Sequence, residues 1–222
     1  MRGAYRSPMT PPSNAAAPAP INAPCLDVFE KMGPHAIVER YRNGLASFDP
    51  RVLEMPDEQA DRWFEEGDRV GLWSCRALLT HLMDTEILYA MRIRRTLAEE
   101  NPVFENWDEH AFLDSRLSRP GAESLLMPCG ACVATLHTLR QTMATVLVQL
   151  TESDWDRLAM NPYLGEVSLL AMLRYVTWHL EHHAAYLNAK VTALLGPASE
   201  AEQSFGGCGE GCGCVSNAQS DQ

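Results

Sequence analysis

The sequence predicts an all-α protein, a four-helix bundle with a disordered N-terminal arm and a flexible C-terminal tail. Four long segments repeat apolar residues with the period of an amphipathic helix, and almost nothing alternates as a strand does. The 222 residues, 46% of them hydrophobic, suffice for one packed domain, which we place at residues 27–197. Residues 1–26 are rich in Pro and Ala and residues 198–222 in Gly, Ser and Cys, compositions typical of segments without a packed core.

The first half of the chain contains two of the long helices. The first is predicted over residues 34–48, where Pro34 suits a first-turn position. A short helix over residues 55–68 follows it, bounded by a proline and a glycine. The second long helix begins after Ser74, whose side chain can cap its free amides, and ends before Pro102.

The second half contains the other two long helices. They are predicted over about residues 132–150 and 167–195, the latter beginning after a turn-like NPYLGE sequence. A linker of roughly thirty residues separates the second long helix from the third, which is long for a bundle connection. Because such a linker can carry the chain to the other end of the bundle, simple up-down-up-down order is not required.

Charge and cysteine content restrict the class of protein. The formal net charge of −11 makes nucleic acid an unsuitable partner. No apolar run is long enough for a membrane span, and the N-terminus lacks the continuous apolar region of a secretory signal. Seven cysteines, an odd number, do not form the disulfide framework of a secreted scaffold. We therefore expect a reduced, cytoplasmic protein.

Three histidines lie close together in the fourth long helix, within YVTWHLEHHAAYLN. His179 and His183 share its apolar stripe, whereas His182 lies about 100° away, nearer the edge. Residues four apart are about 6 Å apart along the axis, so both imidazoles can reach one ion at about 2.0–2.1 Å. His81 is a third inward histidine, on the second helix. Together they predict a metal site; the alternative is three hydrogen-bonded structural histidines.

Two acidic residues follow His81 by one turn. Asp84 is a candidate for orienting His81 or for accepting a proton during catalysis, and Glu86 is a weaker candidate. The alternative is that these are solvated side chains or partners of the helix dipole.

Two groups of cysteines are further candidates. Cys129 and Cys132 form a Cys-x-x-Cys at the start of the third helix, where a helix N-terminus lowers the pKa of a thiol. A redox or metal role and two incidental thiols both remain open. Cys208, Cys212 and Cys214 alternate with glycines in the tail, a pattern that suits soft metals but also occurs in unselected low-complexity sequence.

Several segments together resemble the DinB/YfiT-like superfamily of small metal-binding four-helix bundles. The family combines a tryptophan and a Ser/Thr before HLxDxE, an xPxxGExTL turn and a WHxxHH sequence. The resemblance spans roughly residues 30–195 and rests on DEQADRW, WSCRALLTHLMDTE, RIRRTLAEENP and NPYLGEVSLLAMLRYVTWHLEHH. The cysteine-containing tail departs from it, since family members usually end near the fourth helix.

The resemblance implies a site, a topology and a range of activities. His81, His179 and His183 would form the metal triad, and His182 would not be a ligand. The helices would run up-down-down-up in a homodimer, with nickel or zinc as the usual metal; donor chemistry alone also allows iron. Family members act on small-molecule substrates as thiol S-transferases with low-molecular-weight thiols, as a thiol-dependent isomerase or as hydrolases.

We therefore expect a metal-dependent thiol S-transferase or hydrolase that acts on a small electrophile. In this interpretation Asp84 is the catalytic proton acceptor. The alternative is a non-catalytic metal-binding or metal-trafficking protein that uses the cysteines of the tail.

Overall fold

The computed structural model describes residues 21–199. Most of the predicted arm and tail, including all three tail cysteines, therefore lies outside the described residues. The α-helices are α1 (Leu26–Glu30), α2 (Pro34–Asn43), α3 (Asp57–Ala60), α4 (Cys75–Ala98), α5 (Glu109–Asp114), α6 (Cys129–Leu147), α7 (Glu152–Trp155) and α8 (Leu169–Leu195). Strands β1 (Leu158–Asn161) and β2 (Gly165–Ser168) form an antiparallel pair, and short 3-10 helices cover Gly44–Ser47, Pro50–Leu53 and Glu66–Asp68.

Helices α2 and α8 run parallel to each other. The Arg174 guanidinium, early in α8, donates to the carbonyl of Met32 just before α2. Arg40, near the end of α2, forms a two-bond ion pair with Glu181, further along α8. The residue numbers in these two contacts increase together along α2 and α8, so the two helices run in the same direction.

Helix α4 runs antiparallel to α8. Tyr89, late in α4, stacks on Tyr175, early in α8. His81 lies earlier in α4 and contacts His179, which lies later in α8. The residue number along α8 therefore rises as that along α4 falls, so the two helices run in opposite directions.

Helix α6 runs parallel to α4, which confirms the up-down-down-up order. Arg76, at the start of α4, donates to the carbonyl of Met127 just before α6. Further along both helices, Glu86 accepts a bond from Arg140. Residues 99–128 therefore return the chain to the end of the bundle where α4 began, which explains the long connection.

A buried network around Arg140 joins the four long helices. The guanidinium is fully buried and donates to the Glu86 carboxylate and to the carbonyls of Tyr41 and Val176. The hydroxyl of Tyr41 donates to the same carboxylate. Glu86 is therefore a structural ion-pair partner, since a buried charge is tolerated only when it is paired and hydrogen-bonded.

The prediction of one short helix over residues 55–68 was wrong in its length, because only α3 and a later 3-10 turn are helical there. Tertiary contacts hold the rest as a loop. The amide of Phe64 donates to the carbonyl of Leu72, and the buried Lys190 ammonium of α8 donates to the carbonyl of Gly71. These partners lie outside the segment, so its own residue pattern could not indicate them.

The boundaries of the last two long helices also differ from expectation. Helix α6 begins at Cys129, three residues early, and α8 begins at Leu169, where the Ser168 hydroxyl accepts a bond from the Ala171 amide. The preceding residues form the β1–β2 hairpin in place of a simple turn. Strand β1 has the sequence Leu-Ala-Met-Asn, and its exposed residues are the leucine and the methionine. Its sequence therefore lacks the alternation of buried apolar and exposed polar residues by which a strand is recognised.

No helix among residues 21–199 combines the length and the apolar character needed to cross a membrane.

Candidate metal centre

Three imidazoles converge between α4 and α8. His81, His179 and His183 each offer one nitrogen, and these three atoms all lie within 4.8 Å of one another. The Nε2 atoms of His81 and His179 are 3.1 Å apart. Two nitrogens bound to one ion at about 2.0–2.1 Å, with an angle of about 90–109° between them, would be about 2.8–3.4 Å apart. The observed spacing therefore fits two ligands of one ion.

Helix geometry and packing bring these rings together. His179 and His183 are one turn apart on α8, and their ring centroids lie 4.5 Å from each other. His81 lies opposite on α4, 5.0 Å from the ring of His179 and 5.1 Å from that of His183. The predicted division of the cluster is therefore observed, with two histidines of α8 facing α4.

Burial keeps these imidazoles neutral. His81 and His179 are only 3% and 8% exposed. Desolvation, with a smaller effect of His110, lowers the pKa of His81 to about 4. Desolvation, followed by the neighbouring His81, lowers the pKa of His183 to about 3, and the pKa of His179 also lies well below its usual value. Neutral imidazoles have a free lone pair, so at neutral pH a metal need not displace protons from them.

Aromatic side chains surround the triad. The Trp73 ring lies 5.1 Å from that of His81 and 6.0 Å from that of His183. Trp107 stacks almost parallel on His81, with centroids 6.0 Å apart. The sequence did not indicate Trp107 or His110, because both lie in the aperiodic segment between α4 and α6. The apolar rings of Trp73 and Trp107 reduce the water around the imidazoles, which strengthens electrostatic interactions there.

His182 is not part of the cluster of three ligand nitrogens. Its ring contacts Trp178 and Tyr186, and its Nδ1 is buried without a hydrogen-bond partner among residues 21–199. The indole N–H of Trp178 donates to the carbonyl of Pro24, and this hydrogen bond connects the segment before α1 to α8.

A cavity of about 310 Å³ opens beside the triad. Of the three candidate ligands, only the half-buried His183 lines this cavity, so a molecule in the cavity can reach it. The rest of its wall is largely apolar and includes Leu72, Trp73, Leu78 and Tyr186.

Asp84 is half-buried on α4. Burial raises the pKa of its carboxyl group to about 6. No hydrogen bond or ion pair within residues 21–199 reaches this carboxylate, so the structure contains no bond by which it would orient His81. A carboxyl group with a pKa close to neutral can still exchange a proton under ordinary conditions.

The Cys-x-x-Cys thiols are buried, and this burial disfavours their thiolate forms. Cys129 is the first residue of α6, yet burial raises its pKa. Burial likewise raises the pKa of Cys132 to about 11. Desolvation therefore outweighs the effect expected from the helix N-terminus. Both are free thiols.

The chain is similar to one described family and to several curated proteins. The model of the DinB superfamily matches residues 40–187. A protein of Oceanobacillus iheyensis is 24% identical over 138 residues, which cover 62% of this chain and 74% of the relative. A protein of Bacillus licheniformis is 29% identical over 142 residues, covering 62% and 73% respectively. The names of both relatives propose metal-dependent hydrolases.

A solved structure has the same fold. YfiT from Bacillus subtilis matches with a TM-score of 0.61 and 21% identity, over 83% of this chain and 93% of that one. It is described as a probable metal-dependent hydrolase with an unusual four-helix bundle topology. This likeness confirms the predicted four-helix bundle.

Proposed function

Because the chain belongs to the DinB superfamily, we propose that it is a metal-dependent enzyme whose ion is held by His81, His179 and His183. One observation carries the proposal: three neutral nitrogens from two helices lie within 4.8 Å of one another. Buried structural histidines usually find separate hydrogen-bond partners, whereas these face each other. A shared divalent ion would satisfy all three lone pairs at once.

The donor set narrows the choice of metal. Imidazole nitrogens suit zinc and nickel, and iron is a third candidate. When bound, a divalent ion would supply Lewis acidity and bring the pKa of coordinated water towards neutrality. Three protein ligands leave further positions for water or substrate, as is usual in catalytic sites.

The chain's own residues supply the surroundings of this reaction. The rings of Trp73 and Trp107 restrict water around the imidazoles, and the cavity beside His183 can admit a small, largely apolar molecule. We assign Asp84 as the proton acceptor, supported by its pKa of about 6. It would act through solvent, since no hydrogen bond joins it to the triad.

The proposed reaction is attack on a small electrophile by water, with a low-molecular-weight thiol as the second candidate nucleophile. The names of the relatives favour hydrolysis. Thiol transfer is favoured by the chemistry of a site with open positions, since ions of this kind also bind thiolates. A metal carrier without catalysis is the alternative from another class.

Elemental analysis of the purified full chain tests the metal assignment. We expect about one divalent ion per chain, lost in His81→Ala. His137→Ala is the matched control, because His137 is an exposed histidine on α6 and its loss should leave the metal content unchanged. Full metal content in His81→Ala would refute the triad.

Turnover assays on the loaded protein then separate the functions. A panel of small esters, amides and epoxides is tested in water alone and with several small thiols. Turnover without thiol supports a hydrolase, and turnover that requires thiol supports a transferase. A loaded protein that turns over no member of the panel in either condition would favour the carrier.

A further inference from the structure

A second cavity, of about 400 Å³, lies at a different level of α8 from the cavity beside His183. Helices α1, α4 and α8 and the β1–β2 hairpin contribute its lining. From α8 it takes Met172 and Tyr175, which precede His179, whereas the first cavity takes His183 and Tyr186. The ring of Tyr175 stacks on that of His179, with centroids 5.9 Å apart. The second cavity therefore borders the metal centre without including a candidate ligand.

A buried arginine gives the second cavity a positive charge. Arg92 of α4 lines it and is only 8% exposed. Its Nη2 donates to the carbonyl of Glu105, and its guanidinium lies over the rings of Tyr89 and Phe104. No carboxylate among residues 21–199 forms an ion pair with it. Because a guanidinium has five N–H donors and a buried charge without a counter-ion is costly, an anion in this cavity would stabilise it.

The other buried guanidiniums are paired within the fold. Arg140 forms an ion pair with Glu86, and Arg76 forms one with Asp61. These two and Arg92 are the buried arginines of residues 21–199. The aromatic rings beside Arg92 attract its charge, but they offer no oxygen acceptor to its N–H groups. Arg92 is thus the buried arginine whose counter-ion the described part of the chain does not supply.

Neutral donors border the same cavity. The Oδ1 atom of Asn161 accepts bonds from the amides of Tyr163 and Leu164, at 2.9 and 3.2 Å, which fixes the orientation of this buried side chain. Its Nδ2 has no hydrogen-bond partner in the part of the chain that the structure describes, so it is available to donate. The hydroxyls of Tyr89 and Tyr175 are further donors. Burial raises the pKa of both, that of Tyr89 to about 12, so both stay protonated at neutral pH.

The rest of the lining determines the kind of anion. Arg174 is half-buried and donates twice to the carbonyl of Met32, and Glu30 is an exposed carboxylate. A guanidinium binds a carboxylate through two parallel hydrogen bonds, and one buried guanidinium balances one negative charge. An acid with an apolar body therefore matches this lining, because the remaining wall is mainly apolar and includes Leu26, Leu164, Val167 and Met172.

We propose that the second cavity binds a small organic acid, whose carboxylate accepts hydrogen bonds from Arg92 and Asn161 and whose apolar body lies against the hairpin and α8. The site needs no metal ion, so this inference goes beyond the proposed function. Because Tyr175 separates the cavity from His179, an occupant lies beside the metal centre without displacing its ligands.

Isothermal titration calorimetry of the full chain tests this assignment. The probes are benzoate, phenylacetate and hexanoate, and each is compared with its own neutral primary amide. We expect the acid with the highest affinity to bind once per chain and at least about tenfold more tightly than its amide, because it alone offers a charged acceptor. A chain that binds none of the acids, or that binds acid and amide equally, would overturn the inference. Tighter binding of phenyl phosphate than of every acid would overturn the assignment to a carboxylate.

Two variants locate the binding site. Arg92→Met should weaken binding of the acid at least about tenfold, whereas Arg94→Met, at an exposed position two residues later on α4, should leave it unchanged. Since Arg92 also holds the carbonyl of Glu105, the second variant avoids the core. Ala171→Trp fills the cavity from an exposed position of α8 and should abolish binding without lowering the urea midpoint. Unchanged affinity in either folded variant would overturn the inference.

Removal of metal separates this site from the triad. Carboxylates also bind divalent ions, so the acid has a competing place to bind if the ion is present. We expect the affinity of the full chain to be the same before and after dialysis against a chelator. Loss of binding together with the metal would place the acid at the ion and overturn this inference while leaving the proposed function intact. A chain that binds the acid but holds no metal would refute the proposed function alone.

Discussion

Replacing Gly44 with alanine would disturb the buried network that joins the four long helices. Gly44 follows α2 with φ −54° and ψ −32°, so alanine introduces no backbone strain there. Its Cβ, however, would lie 2.5 Å from Nη1 of Arg140 and 3.2 Å from a methyl group of Leu180. That Nη1 already donates to the carbonyl of Tyr41 at 3.0 Å. The guanidinium cannot move away without weakening bonds that have no replacement in the core.

The size of the effect follows from two opposing contributions. If the guanidinium moves, loss or distortion of one charged hydrogen bond costs about 1.5–3 kcal/mol. If it stays, crowding of the packed core costs a similar amount, so the two costs are alternatives and do not add. Removing the glycine's freedom in the unfolded chain returns only about 0.4–1 kcal/mol. We therefore expect Gly44→Ala to lower the free energy of unfolding by about 2 kcal/mol.

Urea denaturation of the metal-free protein measures this change. The transition midpoint should fall while its slope stays constant. Gly130→Ala is the matched control. Gly130 is the second residue of α6, and an added Cβ there meets no atom within 4 Å apart from its own helix backbone and its chain neighbours. Alanine should therefore leave the free energy of unfolding unchanged or raise it by up to about 1 kcal/mol. If Gly44→Ala is as stable as the parent, the guanidinium is not held as described.

Three further predictions concern ionisable groups. The folded-state pKa of Asp84, about 6, lies above its unfolded value, so the protein loses stability as pH rises and this carboxyl group becomes charged. Asp84→Asn should therefore raise the free energy of unfolding by about 1 kcal/mol at pH 7, after allowance for partial exposure, as measured by urea denaturation. An equal increase at pH 3.5 would show that the charge of Asp84 is not the cause. The pKa values of His81 and His183, about 4 and 3, lie below their unfolded values, so the metal-free protein should lose stability as pH falls from about 6.5 to 4, and His81→Asn should show a smaller loss. Burial and a pKa of about 11 should make Cys132 react with iodoacetamide far more slowly than the exposed Cys25 at pH 8, as measured by peptide mass spectrometry; equal rates in the folded protein would argue against the buried position.

The histidine triad was predictable because helical periodicity carries side-chain direction. His179 and His183 share one face whatever surrounds the helix, and the leucines beside His81 mark that position as inward-facing. Trp107 and His110 were not predictable by the same means. They lie in the connection between α4 and α6, where no repeat indicates direction and only the folded chain brings them to His81.

The sequence by itself determined the four long helices, the cap at Ser74 and the faces that carry the histidines, because these depend on contacts between residues a few positions apart. Only the tertiary structure decided the extent of the segment between Pro56 and Trp73, the burial of Arg140 with Glu86, and the cavity beside His183. Each of these depends on atoms brought together from distant parts of the chain. Local periodicity contains no information about such pairs, since it describes the direction of a side chain and not the partner that it meets.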